Sequence, residues 1–230
     1  MSKPLKLYYD LISQPSRALY MFLKLTGIPF ESHQVALRKN EHRSDEFKQN
    51  LNRFQKVPFI HHGDFKLAES VAITSYLCRE YRDKVADHWY PKDSQGQARV
   101  DEYLSWQHVN ARMPLAMYFV HAWMIPMLTQ SPPDADTIAT HESNMETSLD
   151  EIEELWLSQG HKFIVSDEIS VADLFAAAEL EQPKVAGYDV TKGRPLLEAY
   201  LKRVRESCNP VYDEAHGFIN KLASKNKAKL

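Results

Sequence analysis

The strongest constraint in the chain is a change of hydrophobic period at a polar, proline-bearing stretch, residues 82–93. Before it, short alternating runs are separated by short helical runs. After it, apolar residues recur almost only at helical spacing. Such a chain has two parts of different architecture, the first mixed α/β and the second all helical. A length of 230 residues accommodates one or two domains. We read them as residues 1–82 and 93–225.

In the first part, Leu5-Lys6-Leu7-Tyr8-Tyr9 alternates as a strand. Pro15 then opens a helix, where its missing N–H has no intrahelical partner to lose. Ala18, Met21, Phe22 and Leu25 form the apolar stripe of that helix, and Gly27 and Pro29 end it. Residues 30–37 read as a second strand and 44–50 as a short polar helix. Residues 57–61 and 65–68 read as strands around a His62-Gly63-Asp64 turn, and 70–81 as a helix. The order β-α-β-α-β-β-α predicts a small mixed sheet with helices on both faces. Its first two strands are parallel through a right-handed crossover, and its last two form an antiparallel hairpin.

In the second part, residues 94–128 carry one helical stripe through Tyr103, Trp106, Val109 and Met113. Pro114 lies inside it and should bend it, because it removes a backbone hydrogen bond and crowds Asn110. Further helices are expected over 134–158, from Ser170, over 194–206 and over 209–222. Ser170 and Asp173 spell a capping box with Ile169 in the staple position, which is a folding signal and not a chemical one.

Composition and motifs remove several classes of function. A net charge of -3 argues against a nucleic-acid binder, which normally carries a basic excess. The most apolar stretch, residues 113–128, is interrupted by Pro114, His121 and Pro126 and falls short of a membrane span. Cys78 and Cys208 are too few and too distant for a disulfide framework, which points to a reducing compartment. With no signal-peptide pattern at the start, a cytoplasmic location is expected. The glycines have the wrong spacing for a dinucleotide fingerprint or a phosphate loop. No His-Glu-x-x-His or Gly-x-Ser-x-Gly occurs, and the adjacent His61 and His62 point to opposite faces of a strand. No metal site is expected.

The predicted sheet order suggests a thioredoxin-like fold. Redox proteins of that fold carry Cys-x-x-Cys between the first strand and the first helix. Here Ser13-Gln14-Pro15-Ser16 occupies that place, so the spacing is kept and both sulfurs are gone. Dithiol exchange is impossible at such a site. A hydroxyl can still donate a hydrogen bond to the sulfur of a thiol-containing partner. Read without any relative, Ser13 is equally a capping hydroxyl at a helix start.

The residues Asp10-Leu11-Ile12-Ser13-Gln14-Pro15-Ser16-Arg17-Ala18, Lys56-Val57-Pro58, Glu69-Ser70-Val71-Ala72-Ile73, Trp89-Tyr90-Pro91 and residues 100–108 together resemble the glutathione transferases, and specifically their theta class. The resemblance runs over nearly the whole chain. It implies a thioredoxin-like glutathione-binding domain followed by an all-helical domain that completes the substrate pocket. It also implies detoxifying attack of glutathione thiolate on small electrophiles (halides, sulfate esters and related compounds), and a twofold homodimer.

Residue by residue, the resemblance implies that Ser13 donates its O–H to the glutathione sulfur. A free thiol with a pKa near 8.5 is only a few per cent ionised at neutral pH. A hydrogen bond to a charged group contributes roughly 1.5–3 kcal/mol, which lowers a pKa by about one to two units. Tyr8 and Tyr9 are rival donors to the sulfur, since other classes use a tyrosine near the first strand; packing is the alternative for both. The resemblance further implies a cis Val57-Pro58 bond that presents the Val57 backbone to glutathione as an extended peptide, and Lys56 near a carboxylate. It implies Glu69 and Ser70 at the γ-glutamyl end, and His42 at the glycine end. Taken alone, Lys56 is a solvated lysine, Glu69-Ser70 an ordinary helix cap and His42 an exposed loop histidine.

Arg112 corresponds to an arginine at the mouth of the theta-class site, where it would hold an anionic leaving group or glutathione. Val109 and Met113 share its helix face and are candidate pocket residues, or simple core. The chain departs from its relatives at residues 50–55, which lack an expected Asn-Pro and carry one extra residue, so the loop beneath glutathione is expected to differ. Pro114 is placed to move Arg112. A tail shorter than in some relatives implies a more open pocket. The final Ala228-Lys229-Leu230 resembles a peroxisomal address, a tripeptide that lysine-rich ends also produce by chance. Two other readings stay open: a non-catalytic binding protein of the same fold, and a glutathione-dependent peroxidase.

Overall fold

The computed structural model describes residues 3–227; the tripeptide at 228–230 lies outside the described residues. Among these, β1 (Leu5–Tyr9), β2 (Glu31–Gln34), β3 (Phe59–His62) and β4 (Phe65–Ala68) form a sheet of order β2-β1-β3-β4. β1 is parallel to β2 and antiparallel to β3, and β3 is antiparallel to β4. The residues of β1 alternate between buried and half-buried, as the period of two requires. β2 is largely exposed, as suits an edge strand. It is shorter than residues 30–37 because the chain turns at once into the 3₁₀ turns Leu37–Lys39 and Glu41–Arg43. Residues 44–50 do not form a regular helix; a wide π-turn at Phe47–Leu51 stands there.

Helix α1 (Gln14–Thr26) carries Pro15 in its first turn and ends on Gly27 at φ 67°, a left-handed position that favours glycine. Helix α2 (Ser70–Glu80) follows the hairpin. Beyond the linker, α3 (Ser94–Gln107), α4 (Met113–Phe119) and α5 (Ile125–Thr129) run as one rod joined by π-turns at His108–Arg112 and Val120–Met124. Each π-turn stands just before a proline, Pro114 or Pro126. An α-turn at those places would press the proline ring against a carbonyl four residues back, and the wider turn relieves that contact.

Helix α6 (Ala135–Glu151) packs on α4. Helix α7 (Val171–Leu180) is buried along its whole length and begins with the expected capping box. Ser170 and Asp173 exchange bonds there, and Asp173 also accepts from the Ile164 N–H and the Tyr200 hydroxyl. Helices α8 (Pro195–Cys208) and α9 (Val211–Lys227) complete the bundle. α1 lies against α7 and α9, so one apolar core runs from Leu7 and Phe22 through Trp89 to Leu174 and Tyr200. That continuity presses the loop after β1 against the helical part.

Candidate active site

The register of the sheet gathers the candidate residues at one end. Tyr8 pairs with Phe59, and Phe59 with Ala68, while Tyr9 pairs with Gln34. The chain therefore leaves β1 towards Ser13, leaves β2 towards His42, enters β3 from Lys56-Val57 and leaves β4 into Glu69-Ser70, all at the same edge.

Asp10 shapes the first of these loops. Its backbone carbonyl accepts the Ser13 N–H at 3.0 Å, Oδ1 accepts the Ile12 N–H at 3.0 Å and Oδ2 accepts the Leu37 N–H at 3.2 Å. Ser13 occupies the N-cap of α1 with extended backbone, yet its side chain makes no capping bond. A capping oxygen accepts from the second or third helical N–H. The second helical residue is Pro15, which has none. The third N–H, that of Ser16, makes no bond to it either, and the Ser13 hydroxyl stands beside the positive end of the helix. It lines a cavity of about 340 Å³ with Ile12, Leu37, Asn40, His42, Phe119 and Met124. Ser16, at the other position where redox relatives hold sulfur, is fully buried and faces the core.

Backbone conformation marks the same edge. Among the described residues other than glycine, positive φ occurs at Asn40 (58°), Gln55 (52°), Glu69 (68°) and Gln130 (56°). Three of the four coincide with candidate residues or lie within two positions of one. Glu69, at ψ 108°, lies outside even the left-handed helical region, a conformation that costs about 1–3 kcal/mol and concentrates at functional sites. It places the exposed Glu69 carboxylate at the start of α2, ahead of the buried Ser70.

Lys56 is exposed, and its carbonyl is fixed by the Asn52 amide at 2.8 Å. Val57-Pro58 is cis and lies just before the first paired residue of β3. The π-turn Phe47–Leu51 and the left-handed Gln55 shape the loop at residues 50–55. His42 is half-buried, and its Nδ1 is buried without a hydrogen-bond partner. Burial holds its pKa below the usual histidine range, and Arg43 adds to the effect, against opposing pulls from Asp10 and Glu41.

Of the two tyrosines of β1, Tyr9 has its hydroxyl committed elsewhere. Tyr9 is buried and shares a 2.8 Å hydrogen bond with the Ser32 hydroxyl. The Tyr8 ring stacks on Phe59 and His33.

The structure does not bring Arg112, Val109 and Met113 to the cavity that Ser13 lines. Arg112 is paired with Glu179 of α7 inside the helical part. Val109 and Met113 are exposed and line a separate groove of about 560 Å³ with Met117, His141 and Asn144. The wall facing Ser13 is made instead by Ala116, Phe119, Val120, Met124, Met127 and Leu128. The π-turn at His108–Arg112 accounts for Met113 and the residues beyond it. One extra residue in a turn rotates everything after it by roughly 100° relative to a regular helix, so a stripe extrapolated at constant period arrives on the wrong face. The two prolines inside the rod are the sequence signal for such turns.

A four-stranded thioredoxin-like layer with a free hydroxyl at its helix start, docked on a helical bundle, is the architecture of a two-domain thiol-handling enzyme. Two family profiles match the chain, "Glutathione S-transferase, N-terminal domain" over residues 4–79 and "Glutathione S-transferase, C-terminal domain" over residues 113–207. The chain belongs to the glutathione S-transferases, and within them to the theta class. It is 45% identical over 225 residues to glutathione S-transferase theta-1 of Bos taurus, covering 97% of this chain and 92% of that protein. Against the Homo sapiens theta-1 enzyme it is 44% identical, covering 94% and 89%. The apo structure of human glutathione-S-transferase T1-1 superposes with a TM-score of 0.89 at 43% identity, covering 96% of this chain and 91% of that one. A human theta-class enzyme in complex with the glutathione conjugate of 1-menaphthyl sulfate superposes with a TM-score of 0.90 at 36% identity, covering 98% and 91%. The protein is therefore a transferase. None of its described helices is long and apolar enough to cross a membrane, and no group of three or more metal-ligating side chains occurs among the described residues.

Proposed function

We propose that this chain conjugates glutathione to small electrophiles and that Ser13 is the residue that keeps the thiol ionised. The observation that carries the reading is the hydroxyl at the α1 N-cap that caps nothing and lines the cavity between the two parts. Ser13 donates its O–H to sulfur, and the free N–H groups of the first helical turn add positive potential. The thiolate supplies the nucleophile: its electron pair forms the S–C bond while the leaving group departs with the bonding pair. His42, with its unpartnered Nδ1, receives the glycine carboxylate. Lys56 serves the same end as a cation, and the Val57 backbone pairs with the extended peptide. Ser70 and the α2 N-terminus hold the γ-glutamyl carboxylate, and Glu69 its ammonium.

The apolar wall from Ala116 to Leu128 takes the electrophile, such as an organic halide or sulfate ester. Arg112 contributes by organising the rod through Glu179. Two copies pair as a homodimer in the cytoplasm, with exposed Val109 and Met113 supplying apolar surface.

The test is Ser13→Ala assayed for glutathione binding and for turnover with an alkyl halide and an organic peroxide. Retained binding with turnover reduced by roughly tenfold or more at neutral pH supports the reading. Unchanged turnover with the halide contradicts it. The two cysteines are buried, with thiols pushed up to about 12, which leaves glutathione as the sulfur nucleophile.

A further inference from the structure

Arg17 stands in the first turn of α1 and is fully buried, one of the largest side chains with no exposure. A cation there opposes the helix dipole, and burial lowers its pKa to about 10 against opposing pulls from Glu179, Glu181 and Tyr212. No hydrogen bond to a carboxylate compensates it. Its guanidinium is instead spread over four neutral oxygens in two pairs. Nη1 donates to the Leu11 carbonyl at 3.0 Å and the Ile12 carbonyl at 3.2 Å. Nη2 donates to the Ala178 carbonyl at 2.6 Å and to Gln182 Oε1 at 2.7 Å. The first pair is the backbone immediately before Ser13. The second pair is the C-terminal end of α7, where a cation is favoured, and Gln182, two residues beyond it.

α7 is itself anchored at its other end by the Ser170-Asp173 box. The Ile12 side chain is buried against Phe119, Val185 and Ile219, so the Leu11-Ile12 segment is held by packing on one side and by Arg17 on the other. Asp10 fixes the same loop through N–H groups, and Arg17 fixes it through carbonyls.

We infer that Arg17 is a positioning residue for Ser13: its planar fork ties the peptide before the serine to the end of α7 and so sets where the hydroxyl points. The inference rests on the serine reading above. Lysine cannot replace the fork, because an ammonium presents one point of donation where guanidinium serves two pairs of acceptors. A group that works through another shows non-additive effects with it.

The experiment titrates the thiolate absorbance of bound glutathione in wild type, Ser13→Ala, Arg17→Met, Arg17→Lys and the double variant Ser13→Ala/Arg17→Met, with thermal unfolding recorded for each. Arg17→Met is expected to raise the pKa of the bound thiol by about one unit, which lowers turnover about tenfold near neutral pH and less at high pH. Arg17→Lys raises it by a smaller amount. In the Ser13→Ala background the Arg17 change adds nothing. A folded Arg17→Met with the wild-type thiol pKa overturns the inference. So does an equal shift in the Ser13→Ala background, which would mean that Arg17 acts by charge and not through the serine. If Arg17→Met does not fold, Gln182→Met and Arg17→Lys decide: a raised pKa supports positioning and a wild-type pKa in both defeats it. Should Ser13→Ala itself leave the pKa unchanged, the serine reading fails first, and the positioning inference with it.

Discussion

Arg112 Nε donates to Glu179 Oε1 at 2.8 Å, joining the π-turn of the helical rod to α7, with side-chain exposures of 22% and 2%. Removing the arginine leaves a buried carboxylate without its cation. Arg112→Ala is therefore expected to lower unfolding stability by about 3 kcal/mol, read by urea titration. Glutathione affinity and turnover of the folded fraction are expected to change little. A stable Arg112→Ala with turnover lost would return Arg112 to the reacting centre.

His42 shares its cavity with Ser13, and burial keeps it neutral to a lower pH than an ordinary histidine. A carboxylate arriving beside it favours the charged form. Followed by NMR, the His42 ring is expected to titrate below about 6.5 in the free protein and at a higher pH with glutathione bound. Linkage through this residue then favours glutathione binding as pH falls. The thiol, whose lowered pKa favours binding as pH rises, acts against it, so the His42 contribution is read as the difference between wild type and His42→Ala. His42→Ala should raise the glutathione KM about tenfold or more. An identical titration with and without glutathione would remove His42 from the site.

The electrophile wall separates Met124 from Met113. Met124 lines the cavity with Ser13, whereas Met113 lies on the other groove. Met124→Ala is expected to raise the KM for a bulky aryl electrophile several-fold, up to about tenfold, without changing glutathione affinity. Met113→Ala should leave both constants near wild type. The reverse pattern would show that the rod presents its other face to substrate.

His216 on α9 is fully buried, with Nδ1 against the Tyr212 carbonyl and Nε2 unpartnered. Burial, then Arg17 and to a lesser degree Lys184, push its pKa down to about 3, while Glu181 and the Tyr212 carbonyl pull it up. The unfolded chain takes a proton near pH 6.5 that the folded protein refuses. Stability is thus complete above pH 6.5 and is lost as pH falls, by about 3 kcal/mol at pH 4.5 from this residue. Urea unfolding of wild type and His216→Phe between pH 7 and 4.5 checks it: the wild type should lose more. Equal slopes would show that His216 is charged in the fold.

Legibility in the sequence follows from how local each signal is. β1, β4, α2 and the capping box rest on short patterns of alternation and spacing, and the structure places them where those patterns fall. The pairing of Ser13 with a helix start was readable from Pro15. The substrate wall was not, because the π-turn before Pro114 shifts the phase of the rod, and a constant period carries no memory of an inserted residue. Arg17 was invisible for a different reason. An arginine in a first helical turn reads as solvated, and only the meeting of α1 with the end of α7, far along the chain, supplies the carbonyls that let it be buried.

In the proposed mechanism one serine oxygen sets the ionisation of a bound thiol. The most direct measurement is the ultraviolet thiolate titration of glutathione bound to wild type and to Ser13→Ala at saturating glutathione. The wild-type pKa is expected about one to two units below that of the free thiol, with a return towards the free value in the variant. Two superimposable titration curves would contradict it.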